Sequence, residues 1–387
     1  MSSPAPVDPA ALEPALRPFG QSTTLPAEAY LSEAVFDWEM REFFEAGWVC
    51  AGRASELDAV GDRRAVAVGR ESVLLLRDGS AVRGFFNVCR HRGHELLAVG
   101  ASGGGGRIQC PYHGWEYGLD GRLRSAPRLG QRVGFDAAAH GLASVAVVDW
   151  EGWVMVNVSG TAAAFEQTAG DLVQRIAAHR PGSLVVAASS EYTVEANWKL
   201  IVENYHECYH CPEIHPELCR VTPPTSGMNY RPAGLWVGGV MDLMPDADTM
   251  SVSGRSQAPP LPGLGEEQRR HIYYFGLFPN LLISLHPDYV LTHRLDPLGP
   301  RQTRVACEWL FPPEVIARSG FDPGYAVEFW DITNRQDWKA CESVQRGVSS
   351  RAYRQGPIAA PEDAVYQFVT MVADAYRDGR VRPPRAA

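Results

Sequence analysis

Cys89-Arg-His91 and Cys110-Pro-Tyr-His113 set two thiols and two imidazoles at C-x-H and C-x-x-H spacing, each pair followed by a glycine (Gly93 and Gly114). Two thiolates on one iron and two imidazoles on the other are what a [2Fe–2S] cluster of the Rieske type requires. The same residue types also suit tetrahedral Zn²⁺. Against zinc, Cys and His alternate within each half, whereas zinc fingers place a Cys pair first and a His pair later.

A second concentration of chemistry lies in Asn197-Trp-Lys-Leu-Ile-Val-Glu-Asn-Tyr-His-Glu-Cys-Tyr-His210-Cys-Pro-Glu-Ile-His215. Asn197 is a good helix cap and strong helix formers follow it. One helix through this run puts Glu203, Glu207 and His210 on one face. Pro212 should end it and return His215 toward the same point. Two converging imidazoles with a carboxylate form the facial triad that holds non-haem Fe(II) and leaves positions open for O₂. Asn204 and Glu207 are the candidate catalytic residues beside it. The carboxylate ligand must come from elsewhere: a helix over about Val327 to Arg346 offers Asp331, Asp337 and Glu342, which spacing alone does not separate. Cys208-Tyr-His-Cys211 could be taken for a redox or zinc pair, but no thioredoxin-like context surrounds it, and zinc there would take His210 from the iron.

The elements that must position these groups are legible in outline. Val66 to Asn87 alternates apolar and polar residues around Asp78-Gly79, a hairpin signal, and Asp120-Gly121 follows the second cluster segment. The cluster ligands therefore belong on two hairpin-tip loops. Gly103 to Gly106 lacks the Lys-Ser/Thr of a phosphate loop and reads as flexible connection. Leu31 to Trp48 has the spacing of an amphipathic helix. Strand-like runs (Ser190 to Glu195, Leu281 to Leu285, Tyr289 to Leu295, Arg304 to Phe311) mix with helices without βαβ alternation, so the class is α+β. Residues 245–268, rich in Pro, Gly and Ser, read as a long loop able to cover a pocket. The domain plan is an N-terminal segment and helix (1–45), a cluster domain (46–160) and an iron domain (161–387). Residues 1–25, rich in Pro and Ala, are expected to be ordered only in part.

At 387 residues, with 21% charged and 45% hydrophobic residues, the composition suits a folded two-domain chain. A net charge of −9 argues against nucleic acid and offers no basic tract for anionic membrane. No span-length apolar run or signal peptide is evident, so a cytoplasmic location is expected. Of the eight cysteines, the six outside the cluster motif (Cys50, Cys208, Cys211, Cys219, Cys307 and Cys341) are expected to be reduced thiols.

Both motifs together resemble the oxygenase (alpha) subunit of Rieske non-haem iron oxygenases, from about Trp48 to Gln345. The resemblance implies an N-terminal all-β Rieske domain and a C-terminal helix-grip domain built on an antiparallel sheet. It assigns the cluster to Cys89, His91, Cys110 and His113, and the mononuclear Fe(II) to His210, His215 and Asp337. It also implies a homotrimer, and a separate flavin/iron–sulfur reductase that passes NAD(P)H electrons to the cluster and thence to the iron. Ring-hydroxylating members carry an Asp three residues before the first iron His, bridging to a cluster His of the neighbouring subunit; here Glu207 stands in that place. Glu207, with Leu285 to Tyr289 and Glu308 to Pro312, resembles the branch acting on quaternary ammonium compounds (carnitine, choline, glycine betaine, stachydrine). That branch implies N-methyl hydroxylation with formaldehyde release. The alternatives are an aromatic-ring hydroxylase of the same class and a pure Rieske electron-transfer protein. Aromatic faces receive a quaternary ammonium, and Tyr205, Tyr209, Trp236, Tyr273, Tyr274, Phe275, Tyr289 and Trp309 are available. Arg220, Arg231 and His286 are candidates for a substrate carboxylate.

Overall fold

Ten strands build the first of two units, Phe43–Phe165, in a computed structural model that describes residues 3–129 and 134–387. They are β1 (Val49–Arg53), β2 (Arg63–Val68), β3 (Glu71–Asp78), β4 (Ala81–Phe86), β5 (Ser102–Gly103), β6 (Ile108–Gln109), β7 (Glu116–Tyr117), β8 (Leu123–Ser125), β9 (Ser144–Trp150) and β10 (Trp153–Asn157). Seven form a sheet in the order β1-β10-β9-β4-β3-β2-β5, and three form a smaller one, β6-β7-β8. The Asp78-Gly79 signal is realised: β3 and β4 pair with Asp78 opposite Ala81, and Gly79 takes the positive φ of 59° that a tight turn needs. The run from Val66 is not one hairpin, however. Gly69, at φ 61°, turns the chain between β2 and β3, which gives a meander of three strands. Leu74, Leu76 and Phe85 from this meander pack with Trp115 and Tyr117 against Cys89 and Cys110, so the loops that carry the thiols rest on a solid apolar base.

The second unit combines the chain up to Glu42 with Glu166–Ala387. Its sheet is a single antiparallel array, β11 (Val185–Val194), β12 (Met228–Asn229), β13 (Trp236–Asp242), β14 (His271–Leu277), β15 (Leu281–Leu285), β16 (Val290–Gly299) and β17 (Gln302–Phe311), in the order β11-β17-β16-β15-β14-β13-β12. Every residue of β15 is buried, as expected of a central strand covered on both faces. Helices Trp198–Tyr205, Gly324–Val348 and Asp363–Asp378 complete the α+β, helix-grip arrangement. Among the described residues no helix is long and apolar enough to cross a membrane. The N-terminal run departs from expectation (Met1 and Ser2 lie outside the described residues): Ala5, Val7, Leu12, Ala15, Leu16 and Leu25 are buried, and Ala5 N–H donates to the Tyr376 carbonyl at 2.8 Å. Apolar residues among the prolines anchor it.

Helix Trp198–Tyr205 is held at its start by buried charge. Asn197 caps it by accepting from Lys199 N–H. Lys199 Nζ lies 2.6 Å from Glu39 Oε1, both side chains fully buried, and Trp198 Nε1–H donates to Glu39 Oε2 at 2.9 Å. Tyr376 OH is a further partner of the same carboxylate. Burial pulls the Lys199 pKa down while Glu39 opposes that shift. Lys199→Met should therefore destabilise the protein by about 3–5 kcal/mol in denaturant titration, because it strands the Glu39 charge.

One turn further on, Glu203 accepts from Tyr30 OH at 2.8 Å, and burial lifts its carboxyl to about 7. An acid whose folded pKa is raised loses stability as pH rises from its unfolded value, about 4.3, through the folded one. Glu203→Gln should flatten the dependence of melting temperature on pH over that window and raise it by roughly 2–4 °C at pH 8.

Candidate metal centres and substrate pocket

The two cluster loops have matching turns. Gly93 N–H donates to the Cys89 carbonyl at 3.0 Å and Gly114 N–H to the Cys110 carbonyl at 3.1 Å. Both glycines sit at positive φ, 72° and 70°, where a side chain would strain the turn. Cys89 and Cys110 are each only 2% exposed, while His113 is exposed. The thiols thus face inward and the imidazole edge faces out. Burial raises the Cys89 thiol pKa, against the hydrogen bond from Tyr117. Tyr117 OH lies 3.2 Å from Cys89 Sγ and accepts from Arg90 N–H at 3.0 Å. His91 stacks on Trp115 at 4.9 Å, 8° from parallel, and its buried Nδ1 has no hydrogen-bond partner. A buried imidazole nitrogen without a partner is costly unless something takes its lone pair. Two inward thiols and an orphaned imidazole nitrogen fit a cluster with Cys on one iron and His on the other.

In the second unit His210, His215 and Asp337 bring one ligand atom each to within 4.8 Å of one another. His215 Nε2 lies 2.9 Å from Asp337 Oδ1, His210 Nε2 3.4 Å from the same oxygen, and the two Nε2 atoms are 3.2 Å apart. Each Nδ1 is engaged elsewhere: His215 Nδ1–H with Gln336 Oε1 at 2.7 Å, and His210 Nδ1–H with Glu207 Oε1. Those bonds fix both tautomers with Nε2 turned to the common point. Burial alone would lower the His210 pKa; Asp337 and Glu207 outweigh it and raise it to about 9. Asp337 is lowered although burial opposes, because His210 and His215 bond to it. Two imidazole nitrogens and a carboxylate oxygen converging on one point are the donor set of a non-haem Fe(II) centre.

The path to this geometry differs from the expected single helix. The helix stops at Tyr205, and His206 to His210 form an irregular link before the short helix Cys211–Ile214. Glu207 is the reason: its Oε2 accepts from the N–H groups of Tyr209 (2.5 Å) and His210 (3.1 Å), replacing helical bonds. Pro212 does not end a helix but sits in the first turn of the next. Cys208 and Cys211 are not the free thiols expected; they form a disulfide. Among the described residues the other six cysteines form no disulfide. Of the three candidate acids on helix Gly324–Val348, only Asp337 reaches the imidazoles. Asp331 binds Arg335 and Tyr192 OH, and Glu342 accepts from Glu195 N–H.

A cavity adjoins the triad. Its walls include Tyr205, Tyr274, Trp330, Met241, Met250 and Ile272. Asn204 and Glu207 also reach it, and Met250 is the residue of the 245–268 segment that lines it. Of the aromatic candidates, Tyr205 and Tyr274 line the cavity; Trp236, Phe275, Tyr289 and Trp309 are core, and Tyr209 is 62% exposed. Arg220 and Arg231 are exposed, whereas His286 is fully buried, stacked on Tyr289 with neither ring nitrogen hydrogen-bonded. Sequence reasoning missed Gln336 and Trp330. Gln336 stands beside Asp337, and its position on a metal-bearing helix was the available signal; nothing local marked Trp330.

Comparison with known proteins finds two family matches along the chain. Residues 47–148 match the Rieske [2Fe-2S] domain, and residues 181–378 match the ring hydroxylating alpha subunit (catalytic domain). The glycine betaine monooxygenase oxygenase subunit of Chromohalobacter salexigens is 33% identical, over 91% of this chain and 85% of its own length. The carnitine monooxygenase oxygenase subunit of Escherichia coli K12 is 28% identical, over 92% and 95%. A solved quaternary ammonium Rieske monooxygenase, described in connection with carnitine oxidation by gut microbiota, superposes with a TM-score of 0.81. It is 26% identical, over 97% of this chain and 100% of its own.

His210→Ala should leave the visible absorption of the [2Fe–2S] cluster intact while mononuclear iron falls from about one per chain to near none by metal analysis. Loss of the cluster signal instead would mean that the two centres had been assigned to the wrong residues.

Proposed function

The chain belongs to the ring-hydroxylating alpha-subunit family of Rieske non-haem iron oxygenases, and from that premise we propose that it demethylates a quaternary ammonium or betaine-like substrate by hydroxylating an N-methyl group. The observation that carries the substrate class is the pocket. A quaternary ammonium offers no hydrogen-bond donor and is held by aromatic faces. Tyr205, Tyr274 and Trp330 supply such faces beside the triad, with thioethers of Met241 and Met250, and no Lys or Arg is among the lining residues.

Cys89, His91, Cys110 and His113 would hold the cluster; His210, His215 and Asp337 would hold the iron. When bound, the iron and cluster supply one-electron transfer and O₂ activation. The residues do the rest. Gln336 and Glu207 keep both Nε2 lone pairs aimed inward, and the apolar walls exclude water around the methyl group. Atoms balance as substrate N–CH₃, O₂, two electrons and two protons giving N–CH₂OH and water, after which the carbinolamine releases formaldehyde and the demethylated amine. Electrons come from NAD(P)H through a separate flavin/iron–sulfur reductase. We place the enzyme in the cytoplasm as a homotrimer, with Glu207 linking the iron of one subunit to the cluster of its neighbour. Its bond to His210 Nδ1 supports one end of that bridge. Asn204, on the pocket wall next to the metal loop, is the second polar group we assign to the active site.

The test is O₂ uptake and formaldehyde release with a surrogate reductase and NADH, across glycine betaine, stachydrine, carnitine, choline and aromatic acids. One formaldehyde per O₂ from a methylated ammonium is the expected result; hydroxylated aromatic product without formaldehyde would overturn the substrate class. Glu207→Ala should keep both metal centres and a reducible cluster while product formation falls about 10–100-fold.

A further inference from the structure

The disulfide between Cys208 and Cys211 encloses an iron ligand. His210 lies between the two sulfurs in sequence, on the irregular link from His206 to His210 that no helix or strand stiffens. Within the ring, Cys211 N–H donates to the Cys208 carbonyl at 3.3 Å. Cys211 also opens the helix Cys211–Ile214, whose C-terminal neighbour is His215. The bond therefore ties the turn bearing one imidazole to the element presenting the other. Without it, the turn is held by Glu207, by that backbone bond, and by the His210 carbonyl, which accepts from Glu213 N–H at 3.0 Å and Ile214 N–H at 3.3 Å. Cys211 is buried, Cys208 is half-buried, and both line the substrate cavity, so small reagents can reach the pair from there.

We propose that Cys208 and Cys211 are a reversible redox modification site that clamps His210. The disulfide preorganises the iron ligands; the dithiol form, with the His210 turn no longer closed, holds mononuclear Fe(II) more weakly. Cytoplasmic disulfides are characteristically transient, catalytic or redox-sensing, and exchange follows access. The oxidant by chemical class is hydrogen peroxide, which forms in this pocket when O₂ takes two electrons and two protons without breaking a substrate C–H bond. Two thiols give up two electrons and two protons to form the S–S bond, the peroxide O–O bond breaks, and two waters leave. A dithiol reductant reverses the step by exchange and carries away the disulfide. The clamp thus closes under the oxidising conditions that endanger a ferrous site. This inference concerns the iron site alone and stands whatever substrate the pocket takes.

The experiment compares whole protein, cluster and iron loaded, after mild hydrogen peroxide and after a phosphine reductant. Cysteines are alkylated under acid quench and mapped by mass, with half-exposed Cys219 as the free-thiol reference. Iron retained against a ferrous chelator is measured with cluster absorbance as the control. The expected result is alkylation of Cys208 and Cys211 only after reduction, and about tenfold weaker iron retention in the reduced protein with the cluster unchanged. The double variant Cys208→Ser, Cys211→Ser should retain iron as the reduced protein does and ignore both reagents. Alkylation of both cysteines after peroxide, or equal iron retention in the two states, overturns the proposal. The wild-type comparison decides even if the variant does not fold.

Discussion

Asp337 is the constraint around which the larger unit is arranged. Its carboxylate lies among apolar walls with two imidazole nitrogens aimed at it, and a negative charge so placed must be matched by a positive one. Proton and metal compete for that role. Gln336 and Glu207 keep both imidazoles presenting Nε2 rather than Nδ1. The helix carrying Asp337 and Gln336 is in turn fixed to the start of helix Trp198–Tyr205 where Asn197 N–H donates to Gln345 Oε1 at 2.8 Å. Chemistry at the centre, tautomers around it and helix docking outside it form one chain of dependence.

The smaller unit solves a different problem. Its cluster must be shielded at the sulfur side yet reachable at the imidazole side. Two like turns over an apolar base do this, with Tyr117 OH placed on one sulfur and Trp115 under one imidazole. Hydrogen bonding to sulfur and exposure are the levers that tune such a centre, and both are set by residues next to the ligands in sequence.

That locality explains what could be read in advance. Cys89, His91, Cys110, His113, His210 and His215 fall into short motifs whose spacing is itself the chemistry, and the α+β class followed from strand and helix patterning. Asp337 needed the family resemblance, since Asp331 and Glu342 share its helix and only tertiary packing separates them. The helix through Glu207 was overestimated because helix propensity ignores a carboxylate that captures backbone N–H groups. Gln336 and Trp330 were invisible as functional residues because their roles exist only once distant strands close the cavity. The Cys208–Cys211 pairing was likewise hidden, since composition and compartment both argued for thiols.

His215 and Asp337 stand 122 residues apart, with most of the antiparallel sheet strung between them. A metal joining them is also a cross-link that closes this long loop, and loop-closure entropy then favours the folded over the unfolded chain. An ion held there would thereby fasten the sheet as well: strands β12 to β17 lie inside the loop it would close, so occupancy of a three-residue site would bear on the cooperativity of a whole domain.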